Sequence, residues 1–247
     1  MSHYNCLLID LDNTLLDFDA AEAAALPEAF ARFEVPFNSE TLAQYREIND
    51  GLWHEYEAGR IREDKLFAQR FTLLLGALGR TGAKGDGARM NDCYFEALAK
   101  QGQIVPGADE FLADVEDFVT IAVITNGSAR VQASRLEASG LGAYADGIFV
   151  SEKVGISKPD KRFANLALEK LGISNRARVL VVGDSLTADV GCGRAAGLDT
   201  CWCNFGQAPD EVEPKPTYTV HGFEELKAVI LEKEELDHVG EKKKYQL

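Results

Sequence analysis

Tyr4-Asn5-Cys6-Leu7-Leu8-Ile9-Asp10-Leu11-Asp12-Asn13-Thr14 runs an apolar segment directly into two carboxylates two residues apart. A short apolar run of this kind reads as a buried strand, and residues i and i+2 of a strand point to the same face. Asp10 and Asp12 are then held side by side. Two like charges so placed are costly to keep ionised unless a cation lies between them or one holds a proton, which makes the pair a poor structural choice and a good chemical one. The plain alternative is a strand ending in a turn, where Asp and Asn are common.

Three later segments supply what such a pair needs to handle phosphate. Residues 118–124 (FVTIAVI) read as a β-branched strand that runs into Thr125-Asn126-Gly127-Ser128 ahead of a helical pattern. A hydroxyl and several free backbone N–H groups are expected at that helix N-terminus, a ready anion site. Lys158-Pro159 places a compact ammonium just before another amphipathic helix. Residues 178–182 (RVLVV) form a further buried strand ending in Gly183-Asp184, with Asp189 beyond. Singly, Thr125 reads as a helix cap, Lys158 as a solvated lysine and Asp184 as a turn residue. Jointly their order and strand-end placement point elsewhere, because ligands of open parallel α/β sheets bind outside the carboxyl ends of the strands.

These four segments resemble, in order, the four motifs of the haloacid dehalogenase superfamily, and the resemblance covers nearly the whole chain. It implies an α/β fold with a Rossmann-like parallel sheet and a four-helix cap inserted after the first strand. By that resemblance Asp10 is the nucleophile that forms an aspartyl-phosphate and Asp12 is the general acid and base. Proximity to Asp10 is expected to help Asp12 hold a proton. Mg²⁺ is implied as cofactor, held by the Asp10 carboxylate, the Asp12 backbone carbonyl and Asp184, with Asp189 behind them. Thr125, the Asn126 amide and Lys158 would hold the phosphoryl oxygens. Dehalogenase members of the superfamily typically lack the second acid, so the presence of Asp12 favours phosphorus over carbon–halogen bonds.

Composition fits an enzyme with one large core and a smaller module: the 247 residues are 46% hydrophobic. The net charge of −14 argues against a nucleic-acid polymer or an anionic membrane as partner, and leaves phosphate capture to local positive groups and metal. Cys6, Cys93, Cys192, Cys201 and Cys203 show neither paired metal spacing nor a disulfide framework and read as free thiols. His3, His54, His221 and His238 are too scattered for a zinc site, and the apolar N-terminal run is too short for a signal peptide, so a cytoplasmic location is expected.

The expected organisation is a core of residues 1–16 and 103–234, a helical cap of residues 17–102, and a frayed tail of residues 235–247. Helices are expected at 18–33 with a kink at Pro27, at 39–56 capped by Ser39 and stopped by Gly59, at 62–78, at 88–101 and finally at 221–231. The glycine-rich residues 79–87 lack P-loop spacing and read as a connection, and Gly191-Cys192-Gly193-Arg194-Ala195-Ala196-Gly197 reads as a closely packed helix with a glycine cap. Residues 45–61, together with 124–127, Arg135-Leu136-Glu137 and 150–155, resemble the pyrimidine 5′-nucleotidase branch of the superfamily. That likeness makes a nucleoside 5′-monophosphate the expected substrate. Trp53 and Tyr56 share a helix face and either stack a base or belong to the cap core. A phosphatase or phosphomutase for small sugar or acid phosphates is the alternative, and a non-enzymatic phosphoacceptor a more distant one.

Overall fold

The computed structural model describes residues 3–80, 84–206, 208–209 and 212–231. The expected tail at 235–247 and part of the glycine-rich connection lie outside them. Strand β1 (Cys6–Ile9) is followed by four helices, α1 (Phe18–Arg32), α2 (Ser39–Glu57), α3 (Glu63–Ala77) and α4 (Asp86–Leu98). The chain then alternates through α5 (Ala108–Val115), β2 (Thr120–Thr125), α6 (Ala129–Ser139), β3 (Gly147–Val150), α7 (Ser151–Val154), α8 (Lys161–Leu171) and β4 (Val179–Gly183). A π-helical turn (Leu186–Val190), α9 (Gly191–Ala196), β5 (Asp199–Cys203), β6 (Tyr218–Val220) and α10 (Phe223–Leu231) complete the described fold.

All pairings are parallel, in the order β3-β2-β1-β4-β5-β6. Period-2 alternation buries both faces of this sheet. Leu7, Ile9, Ile121, Val123, Leu180 and Val182 pack on one side with Phe111, Leu112 and Leu226 from α5 and α10. Cys6, Leu8, Ala122, Ile124, Val179 and Val181 pack on the other with Phe163, Ala167 and Cys192 from α8 and α9. Burial on both faces is why these strands read as continuous apolar runs. At Gly193 an added Cβ would lie 2.4 Å from Thr200 Cγ2, so α9 packs closely on the side chains of β4 and β5, as its glycines suggest.

The four helices after β1 form a second core around Phe30, Tyr45, Phe71 and Tyr94. Their ends follow local chemistry. Asp17 caps α1 by accepting from Ala20 N at 2.8 Å, and Asn13, at φ 57°, accepts from Phe18 N at 2.9 Å. The cap of α2 is Asn38, which accepts from Thr41 N at 2.9 Å, and not Ser39, which is the first helical residue. Pro27 lies inside a continuous α1. The final helix begins at Phe223, because residues 218–220 extend the sheet as its edge strand. Among the described residues no helix is long and apolar enough to cross a membrane.

Candidate active site

Strand order reverses between β1 and β4, which places the crevice of this sheet at the carboxyl ends of those two strands. Asp10 follows β1 and Asp184 follows β4 there. Asp189 reaches the same point from the π-helical turn, and carboxylate oxygens of Asp10, Asp184 and Asp189 lie within 4.8 Å of one another. Gly183 makes that convergence possible, since a Cβ on it would fall 2.1 Å from Asp189 Oδ2. The Ser185 N–H donates to the same oxygen at 3.0 Å and fixes the side chain.

Lys158 is the counter-charge. Its buried ammonium pairs with Asp10, donates to Asp189 Oδ1 at 2.7 Å and donates to Ile124 O at 2.9 Å. Burial favours the neutral amine, but Asp10 and Asp189 outweigh it and raise the Lys158 pKa, keeping the cation. Burial pushes the Asp10 carboxyl up to about 7, with Lys158 opposing and Asp189 and Asp12 adding to the rise. Asp184 is driven well above the usual carboxylate range by burial and by the charges of Asp10 and Asp189. Two of the three carboxylates pair with the one ammonium, and an all-oxygen donor set with more acids than cations suits a hard dication.

The second acid lies just beyond β1, which ends at Ile9, and its carboxylate reaches α6. There it pairs with the guanidinium of Arg135, which is 0% exposed, and accepts from Gln132 Nε2 at 2.7 Å. Gln132 also donates to Thr125 Oγ1 at 2.8 Å, so one amide ties the second acid to the hydroxyl at the end of β2. Arg135 Nε reaches Gln101 O at 3.3 Å, and the guanidinium lies over the Phe18 ring at 5.6 Å. Both ends of the helical segment are thus touched by the residue that holds Asp12.

The α6 N-terminus differs from expectation. Gly127 N donates to Ser151 Oγ at 2.9 Å and Ala129 N to Glu152 Oε2 at 2.8 Å, so these two N–H groups are already occupied by α7. The Asn126 side chain is engaged too: its Nδ2 donates to Lys158 O at 3.0 Å and its Oδ1 accepts from Lys158 N at 3.0 Å. It secures the lysine loop rather than facing the cavity with its own amide. The main-chain amide of Asn126 is the part of that residue left for a ligand role.

A cavity of ≈ 270 Å³ opens over these groups, walled by Asp10, Asp12, Thr125, Asn126, Lys158, Asp184 and Asp189 from the sheet side and by Trp53 and Glu57 from α2. Trp53 and Tyr56 part company here. Tyr56 is 8% exposed, packs with Leu52 and Leu66, and donates to Glu63 Oε1 at 3.3 Å, whereas Trp53 lines the cavity. Arg135, Gln132 and Glu57 escaped sequence reasoning as site residues; Arg135 and Glu57 stood within stretches that resemble the nucleotidase branch, without a role of their own.

A model of haloacid dehalogenase-like hydrolases matches residues 4–197. The chain belongs to that family. It is similar to HAD-hydrolase YfnB of Bacillus subtilis, whose magnesium-bound crystal structure superposes with a TM-score of 0.83 at 38% identity over 90% of this chain and 96% of that one. It is 35% identical to pyrimidine 5′-nucleotidase PynA of Streptococcus pneumoniae over 90% of this chain and 93% of the relative. Pyrimidine 5′-nucleotidase YjjG of Escherichia coli is 34% identical over 92% of this chain and 98% of its own length. The protein is accordingly a hydrolase of the phosphatase kind.

Proposed function

We propose that the protein hydrolyses nucleoside 5′-monophosphates, pyrimidine nucleotides in preference, through a phosphoryl group held transiently on Asp10. The observation that carries this reading is the convergence of Asp10, Asp184 and Asp189 opposite Lys158 at the sheet crevice, beneath a cavity whose far wall is α2. The kinship with two pyrimidine 5′-nucleotidases supports the substrate class. Residues 17–102 act as a cap over a core formed by 1–16 and 103–234.

Asp10 attacks phosphorus, the bond to the nucleoside oxygen breaks, and Asp12 gives that oxygen a proton. Water then attacks the aspartyl-phosphate with Asp12 as base, releasing phosphate and restoring Asp10. Thr125, the Asn126 backbone N–H and Lys158 hold the phosphoryl oxygens where charge develops. Mg²⁺ would be held by Asp10, Asp184 and the Asp12 carbonyl, with Asp189 supporting, and when bound it neutralises charge on the phosphoryl group. Cys6, Cys93, Cys192, Cys201 and Cys203 are free thiols, which supports a reducing, cytoplasmic setting.

Asp10→Asn keeps the shape and removes the nucleophile. Phosphate release from UMP in the presence of Mg²⁺ should fall by at least about 10³-fold while the circular dichroism spectrum is retained. A folded Asp10→Asn protein with near-normal turnover sinks the mechanism, and a wild-type enzyme that prefers sugar or acid phosphates to UMP sinks the substrate assignment.

A further inference from the structure

Helix α6 faces two ways. Gln132 and Arg135 point inwards to Asp12, whereas Ala129, Ala133, Leu136 and Gly140 recur at helical spacing along a groove of ≈ 460 Å³. The other wall of the groove is β3, an edge of the sheet with β2 as its one neighbour. Ile148 on that strand is 46% exposed, one of four large hydrophobic side chains left open among the described residues. A short edge strand beside an apolar groove offers another chain both a surface and unpaired backbone.

The charges on this groove say what fits it. Glu137 and Lys153 are the two charged residues that line it, and neither side chain forms an ion pair or hydrogen bond among the described residues. They stand towards opposite ends. The Ala129 N–H donates to Glu152 Oε2, which sets the Lys153 segment beside the first turn of α6, and Glu137 lies two turns further along that helix, about 12 Å at the α-helical rise. One copy leaves the two charges apart, but a second copy turned end for end joins them: a two-fold axis near Ala133 sets each Lys153 against Glu137 of the other copy. Ala133 is exposed and small, so two α6 helices can approach closely at that axis. With a net charge of −14, two copies repel over most of their surfaces, whereas this groove carries one charge of each sign and is self-complementary.

We infer that the groove between α6 and β3 is the interface of a two-fold homodimer, in which Leu136 and Ile148 of the two copies cover one another and two Lys153–Glu137 pairs fix the antiparallel register. The apolar floor supplies the attraction, and the rim charges select one orientation against the others. The groove shares no residue with the catalytic cavity, so the dimer covers none of the groups that line that cavity. The inference is independent of the substrate assignment.

The test is sedimentation equilibrium of the full chain over a range of protein concentrations at low salt, with circular dichroism to show that each variant is folded. Wild type should reach twice the mass of one chain. In Lys153→Glu and in Glu137→Lys the dimer Kd should rise at least about tenfold, because one substitution turns two attractions into two repulsions. The double variant Glu137→Lys, Lys153→Glu restores both pairs with their signs exchanged and should return the Kd to near the wild-type value. Ala133→Arg sets two guanidinium groups against each other at the axis and should leave a monomer. A wild type that stays monomeric at every concentration overturns the inference and leaves the groove to a different partner. A dimer unmoved by the single reversals or by Ala133→Arg lies on another face of the molecule and overturns it equally, as does a double variant no tighter than the singles. Should Ala133→Arg fail to fold, the three charge variants, all at exposed positions, decide the outcome.

Discussion

Arg135 shows how much a single buried side chain can govern without touching substrate. It is 0% exposed, pairs with Asp12, and is reached by Gln101 O and the Phe18 ring at the two ends of the helical segment. Removing it frees the Asp12 carboxylate to sample orientations that do not serve proton transfer. Arg135→Met should therefore lower kcat for UMP by about 10²-fold, the cost of a misplaced catalytic group, with a smaller loss for p-nitrophenyl phosphate, whose leaving group needs no proton. Equal losses for both substrates would mean that Arg135 serves stability alone. Asp10, Asp184, Lys158 and Thr125 were legible in the sequence because each sits at the end of an apolar run or beside a proline. The Asp12–Arg135 pair was not, since its partners stand 123 positions apart and nothing local marks them.

At the level of elements, α2 separates two roles that periodicity alone left joined. Trp53 and Tyr56 stand three residues apart and their rings meet edge-on at 5.6 Å; Tyr56 is buried in a small apolar cluster, while Trp53 packs on the edge of that cluster and also lines the catalytic cavity. Trp53→Ala should weaken kcat/KM for UMP by about 1–3 kcal/mol, the value of one stacked base, and change the p-nitrophenyl phosphate rate far less. A parallel fall for both substrates, with a lowered melting temperature, would assign Trp53 to helix packing instead. The long helices were readable because 15–19-residue amphipathic patterns outweigh local ambiguity. Strands β3 and β6, of 4 and 3 residues, fall below the length at which alternation carries information. The Asn38 cap was missed by one position because Asn38 and Ser39 are both good caps and only the backbone, extended at Asn38, decides between them.

For the molecule as a whole, the helical segment is tied to the sheet by a carboxyl group as well as by the chain. Glu63, in the first turn of α3, accepts from Ser151 Oγ at 2.8 Å and from the Tyr56 hydroxyl at 3.3 Å, and Ser151 Oγ in turn accepts from Gly127 N. A contact made 88 residues away across two packed units was invisible in the sequence, where Glu63 reads as an ordinary acidic residue of a first helical turn. Burial raises the Glu63 pKa from 4.5 to about 7, with Ser151 opposing the shift and the charge of Glu152 adding to it. The folded state therefore holds this proton more tightly than the unfolded chain does. Its contribution to stability is complete below pH 4.5, declines as pH rises from 4.5 to 7, and is lost above 7. Glu63→Gln retains an acceptor for Ser151 and cannot ionise, so it should match wild type near pH 5 and exceed its melting temperature by about 2–4 °C near pH 8, the scale of roughly 1 kcal/mol in a chain of this length. Thermal unfolding of both proteins across that range checks the sign. A difference that shrinks as pH rises, or one with no pH dependence, shows that Glu63 is ionised in the fold and that the tie between helices and sheet is held by other contacts.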